Sequence, residues 1–128
     1  MVIDSSVLLA IFLQEPEENH FLALIAAAPR RIISTATLLE THIVLESRVG
    51  PSAKSKLDQF IDAAAIESIA FDSVQLEIAR SAFSSYGKGR HPARLNFGDC
   101  FTYALAKVSG EPIFAKGDDF KRTDSVLL

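Results

Sequence analysis

Cysteine is almost missing from this chain. Cys100 stands alone among 128 residues, so there is no internal disulfide and no thiolate metal site built from the chain's own residues. Neither sign of charge dominates: 13 Lys and Arg against 16 Asp and Glu leave a formal net charge of −3, so contact with nucleic acid would need a local basic patch. Long apolar runs are lacking too. The longest, Val7 to Leu13 and Phe21 to Ala28, fall far short of a bilayer's thickness. Asp4, rather than a basic segment, precedes the first of them, which argues against a signal peptide and for a cytoplasmic chain with no membrane partner. Repeats and linker-like stretches are absent, and a hydrophobic content of 48% is enough for a core. Residues 1–128 are expected to form a single domain.

What is present reads as strands alternating with helices. Val2-Ile3 is a short buried strand ended by Asp4, and Ser5 and Ser6 offer capping oxygens to a helix reaching about Leu13. Pro16 suits the start of a second helix, with Glu17 and Glu18 facing its dipole and Pro29 beyond its end. Arg31 to Ser34 is a second strand, Ser34 or Thr35 opens a helix to Arg48, and Gly50 stops it. A helix from Pro51 to about Ala65 follows, then a strand alternating through Ile66 to Ala70. Asp72 to Gln75 resembles a capping box that opens a helix to about Ser84. Tyr86 to Leu95 is an ordered loop, Asn96 caps a helix from Phe97 to Lys107, and Pro112 to Ala115 is the last strand. Alternation of this kind predicts parallel β-α-β units: a three-layer α/β/α fold around a short central parallel sheet.

In such a sheet the carboxyl ends of all strands share one edge, where ligands bind. Asp4 follows the first strand, Glu40 sits early in the helix after the second, Asp99 lies in the first turn of the Asn96 helix, and Asp118 follows the last strand beside Asp119. Gathered carboxylates repel one another unless protons or cations compensate, and oxygen ligands without His or Cys select Mg2+ or Mn2+. Metal-assisted hydrolysis of a phosphodiester is the chemistry this points to. Each acid also has a structural reading. Asp99 could be the N3 partner of the Asn96 cap, Glu40 the partner of Thr37 three residues earlier, and Asp118-Asp119 a turn pair.

Between Arg80 and Gly98 the residues Arg80, Lys88, Arg90 and Arg94 occur with no Asp or Glu among them, and His91 adds a further possible charge. Lys88, Arg90, His91 and Arg94 are therefore the candidate phosphate binders, with Lys116, Lys121 and Arg122 as an extension. The alternative is a solvated loop. Cys100 is expected to be buried and inert, Tyr86 to sit in the core or at its rim, and His20 and His42 to lack partner ligands.

Val2-Ile3-Asp4-Ser5-Ser6, Leu39-Glu40, Leu95-Asn96-Phe97-Gly98-Asp99-Cys100 and Phe114-Ala115-Lys116-Gly117-Asp118-Asp119-Phe120 together resemble the PIN-domain ribonucleases, and within them the VapC toxins of type II toxin–antitoxin modules. The resemblance spans almost the whole chain. It implies an Mg2+- or Mn2+-dependent endoribonuclease in which Asp4, Glu40, Asp99 and a fourth acid, Asp118 or Asp119 with Asp118 nearer the strand, hold metal and activate water. Ser6 and Asn96 would support these ligands. Lys116-Gly117 stands where many PIN domains carry a Thr or Ser. The resemblance further implies an RNA substrate, a cognate antitoxin and a homodimer, and Phe12, Phe21, Leu22 and Leu24 could line a groove for a partner segment or serve as core. The competing expectation is a catalytically silent PIN-like module that binds RNA or protein. A haloacid-dehalogenase-type phosphatase would need an Asp where Ser6 stands.

Overall fold

The computed structural model describes residues 1–128. Its elements run β1 (Val2–Ile3), α1 (Ser5–Phe12), α2 (Glu18–Ala27), β2 (Ile32–Ser34), α3 (Thr35–Val49), α4 (Ala53–Ala63), β3 (Glu67–Ile69), α5 (Ser73–Tyr86), α6 (Phe97–Ser109) and β4 (Ile113–Phe114). The four strands form one parallel sheet in the order β3-β2-β1-β4. Val2 stands opposite Ile32 on one side and Ile113 on the other, so the first strand is central.

Alternation of side chains along the strands divides the core into two layers. Ile3, Ile33 and Phe114 turn to one face, where they pack with Val7, Leu8 and Ile11 of α1, Ile25 of α2, Leu45 of α3 and Leu57 and Ile61 of α4. Val2, Ile32 and Ile113 turn to the other face, against Leu105 and Tyr103 of α6 and their neighbours. With α5 packed along α6, this is the expected three-layer α/β/α arrangement. Burial on both faces explains why β1, β2 and β4 read as continuous apolar pairs, whereas the edge strand β3 (Glu67–Ile69) alternates and is largely exposed.

The local details differ from expectation at several points, each for a physical reason. The α1 cap is Asp4 itself, which accepts the Ser6 N–H; Ser5 and Ser6 lie inside the helix. Ser34 caps α3 by accepting the Ala36 N–H, leaving Thr37 a buried turn further in, so Thr37 and Glu40 do not form a capping box. Asp72 caps α5 through the Gln75 N–H, but the Gln75 amide donates to Ala70 O, so only half of that box exists. The helix then runs on to Tyr86. Pro16 precedes α2 rather than opening it, because Gln14 turns through a positive φ and delays the helix to Glu18. Phe21 stacks edge-on against Phe114, Phe12 does so against Phe60, and Leu22 and Leu24 pack against the same core. Phe21 is thus core, whereas Phe12, Leu22 and Leu24 are half-buried at its rim, and Phe21 and Leu24 also line a cavity of about 310 Å³.

Candidate active site

Asp4 follows β1 directly. Its backbone N–H donates to Phe114 O across the sheet (2.9 Å), so the residue is fixed where central β1 meets the edge strand β4. Its side chain is only 4% exposed and has every partner provided. Oδ2 accepts the Ser6 N–H (3.1 Å) and the Ser6 hydroxyl (2.7 Å), and Oδ1 accepts the hydroxyl of Thr102 on α6 (2.6 Å). Charge-assisted bonds of this kind hold a buried carboxylate that would otherwise be costly to desolvate. Ser6 Oγ in turn accepts the Lys116 N–H (2.9 Å), which ties the chain leaving β4 to the same acid.

Asp99 stands one turn before Thr102 on α6. The capping box is real: Asn96 Oδ1 accepts the Asp99 N–H (2.9 Å), and Asp99 Oδ2 accepts the Asn96 N–H (3.0 Å). That structural role does not exhaust the residue. Burial pushes the Asp99 carboxyl up to about 7 despite the Asn96 N–H, and the negative charges of Asp4, Asp119 and Glu40 add to the rise. Those three acids are thus its electrostatic neighbours.

Glu40, freed from any cap, is half-buried and lays its carboxylate against Gly98 of α6. A side chain at position 98 would occupy the space that carboxylate fills. Asp119 lies on the exposed turn after β4. Desolvation by its surroundings raises its carboxyl, as do Asp4 first and then Asp118. Asp118 itself points to solvent and pairs with Lys121 (2.5 Å). Asp4, Glu40 and Asp119 are thus charged neighbours of Asp99, while Asp118 points to solvent.

The donor set is entirely oxygen and mutually repulsive, which suits a hard divalent cation. As the side chains stand, no three His, Cys, Asp or Glu residues are gathered tightly enough to hold an ion. The fit to such a cation is in chemistry and charge.

The basic loop runs from Lys88 to Arg94 and is drawn shut at its base, where Lys88 N–H donates to Leu95 O and Leu95 N–H to Tyr86 O (2.9 Å each). Lys88, Arg90 and Arg94 are exposed, with the Arg90 guanidinium over the Phe83 ring (5.6 Å). His91 packs edge-on to Tyr86 and uses Nδ1 to accept the Ala93 N–H (3.0 Å). Lys116 does not extend this surface: its ammonium is held by Glu15 and by Glu17 (3.2 Å). Lys121 is likewise engaged by Asp118. The largest cavity, about 820 Å³, is lined by aromatic residues including Phe71, Phe83, Phe97 and Phe101, and takes in none of the four acids.

Thr102 is the functional residue that sequence reasoning passed over. Its signal was a hydroxyl inside the apolar run Cys100 to Leu105, where a fully buried polar atom needs a partner.

A PIN domain family model matches residues 1–126. Ribonuclease VapC30 of Mycobacterium tuberculosis is 47% identical over 124 residues, covering 97% of this chain and 95% of that protein. Ribonuclease VapC of Mycolicibacterium smegmatis is 49% identical over 124 residues, covering 97% and 96%. Among solved structures, the sarcin–ricin loop cleaving toxin VapC20 of M. tuberculosis superposes with a TM-score of 0.80 at 18% identity, over 99% of this chain and 97% of that one. VapBC2 of Rickettsia felis, bound to a promoter DNA fragment, gives 0.75 at 19% identity over 99% and 95%. At such identities these two structures speak for the fold.

Proposed function

The chain belongs to the PIN-domain family and, within it, to the VapC ribonucleases; from that premise we propose that it is the endoribonuclease toxin of a VapBC-like toxin–antitoxin module, cleaving RNA phosphodiesters with a divalent cation, Mg2+ or Mn2+. The observation that carries this reading is the pair of buried carboxylates, Asp4 held by Ser6 and Thr102 and Asp99 held by Asn96, with Glu40 and Asp119 as charged neighbours. Four acids that penalise one another are retained where they have a charge to meet.

Asp4, Asp99, Glu40 and Asp119 would hold the cation, with Asp119 rather than Asp118 as the fourth acid. A divalent ion bound there neutralises the carboxylates, acidifies water and stabilises charge on the phosphodiester. The protein's own contribution is positional. Thr102 and Ser6 fix Asp4 through both of its oxygens, and Asn96 fixes Asp99 at a helix N-terminus whose dipole favours negative charge. The carboxylates orient a water and accept its proton. Lys88, Arg90 and Arg94 would hold RNA phosphates beside α6, with His91 shaping the loop, and an unpaired strand fits so open a site.

Incubating the protein with cellular RNA, with and without chelator and beside Asp4→Ala, tests this reading. Cleavage is expected to need both the cation and Asp4, and cutting that survives either loss sinks the mechanism. In the same preparation Arg90→Ala with Arg94→Ala should weaken RNA binding and flatten its salt dependence; an unchanged slope removes the loop from the interface.

The cognate antitoxin would cover the acids, and a co-expressed antitoxin that leaves cleavage intact argues against it. A homodimer would bury the exposed Leu39, Ile43 and Phe97, residues that a lone chain gains nothing by exposing. Sedimentation at the mass of one protomer would refute that pairing.

A further inference from the structure

The turn that carries Asp119 is tethered at both ends, and its far tether reaches back to the helix that carries Asp99. At the near end Lys116 N–H is held by Ser6 Oγ (2.9 Å). Past Asp119, Phe120 is buried with Ala82, Leu95, Ile113 and Tyr103. The chain then folds through Thr123, whose hydroxyl and N–H both reach Phe120 O (2.8 and 3.1 Å). Asp124 follows, and two donors from α6 grip its carboxylate: Tyr103 Oη gives to Oδ1 (2.7 Å) and Lys107 Nζ to Oδ2 (2.8 Å). Beyond it, the segment pairs with β4 through Ile113 N–H to Val126 O (2.8 Å) and Leu128 N–H to Ile113 O (2.9 Å).

Asp99, Tyr103 and Lys107 stand at successive steps of four, one stripe along α6. Tyr103 touches the Asp119 turn twice, its ring packing with Phe120 and its hydroxyl holding Asp124. We propose that Tyr103 and Asp124 are positioning residues for the acidic site, setting where Asp119 stands relative to Asp99 without touching substrate or cation themselves. A loop acid fastened only at the β4 end would drift. Fastened to α6 as well, it is referenced to the same rigid body as the acid it must meet. The Lys107 ammonium, and then the Tyr103 hydroxyl, hold the Asp124 carboxyl below the usual range, so it stays charged and the clamp stays closed. This proposal rests on the cation-holding role given above to Asp119.

The test is a Mn2+ titration of the full chain, with free ion read by electron paramagnetic resonance. Asp124→Ala is expected to weaken Mn2+ binding about tenfold, the loss typical when the support of a ligand is removed. Asp124→Asn, which keeps an acceptor for Tyr103, should fall between that variant and the parent. Tyr103→Phe keeps the ring against Phe120 and should give a smaller loss. Ile61→Val, a mild core change on the opposite layer, controls for general loosening and should leave affinity unchanged. Parental affinity in Asp124→Ala, or an equal loss in Ile61→Val, overturns the proposal while the metal reading stands. A parent chain that takes up no Mn2+ overturns the metal reading, and the positioning role falls with it.

Discussion

The two halves of the acidic site are built differently. Asp4 and Asp99 are buried at 4% and 6% exposure, one at a strand end and one at a helix start, and each is held by short hydrogen bonds. Glu40 and Asp119 reach in from more open positions, one against Gly98 and the other on a turn. The buried half defines where the site is, at a cost in repulsion and desolvation. The open half leaves its carboxylates more accessible to solvent, Glu40 half-buried and Asp119 on a turn whose two ends are tethered. Only acids already bought into the core by hydrogen bonds can serve as a fixed reference.

That contrast breaks most severely at Asp99. Asp99→Asn should lower RNA cleavage by on the order of 10³-fold or more, the scale of losing a group central to transition-state charge. The same change should stabilise the metal-free protein. The Asp99 carboxyl rises from an ordinary value of 3.8 to about 7 on folding. The folded state therefore holds the extra proton between those values, and the residue costs stability progressively as pH rises from about 4 to about 7. Asn removes that cost, so at pH 8 the variant should melt higher, by on the order of 1–2 kcal/mol once solvent screening is allowed for. At pH 4 the two should melt alike. Thermal denaturation in chelator at the two pH values checks this, and equal stability at pH 8 would remove desolvation and repulsion of the Asp99 charge as the cost of the buried half.

Next comes the turn. Asp119→Asn should cost about 10²-fold in cleavage, while Asp118→Asn, which loses only an exposed pair with Lys121, should stay within about twofold. Steady-state rates on one RNA decide it, and a reversed order would move the fourth ligand to Asp118. A smaller loss than at Asp119 is expected at Thr102. Thr102→Val keeps the volume but leaves Asp4 Oδ1 without its buried donor, so cleavage should fall about tenfold and stability by about 1–3 kcal/mol. Parental activity in that variant would mean that Asp4 needs no second anchor.

The buried half of the site was legible in the sequence, and the open half less so. Val2-Ile3-Asp4 announces a strand end, and Asn96 three residues before Asp99 announces a helix start; both are local signals in a short window. The same locality misled elsewhere. Thr37 with Glu40 has the spacing of a capping box, but Ser34 takes the cap because the chain leaves β2 there, and this turns Glu40 toward Gly98. Asp118 and Asp119 are adjacent on an irregular turn, where no periodicity says which faces inward; that depends on Phe120 entering the core and on a contact with α6. The layered fold was readable from strand–helix alternation, whereas the strand order β3-β2-β1-β4 depends on long-range pairings that no short window contains. Lys116 looked like a free cation because Glu15 and Glu17 lie about a hundred residues away in sequence.

Gly98 gives the molecule a means of being silenced without the loss of any acid. Alanine there would favour α6, since a methyl group restricts the unfolded chain more than the helix, yet that methyl claims the space of the Glu40 carboxylate. The flexible end of Glu40 is what would give way, so the fold would survive with that carboxylate turned aside from its proposed place at the cation. Such a chain would be a harmless twin of the toxin, with its surface and its other three acids unchanged, and so a safe bait for capturing whatever RNA or protein the active form engages.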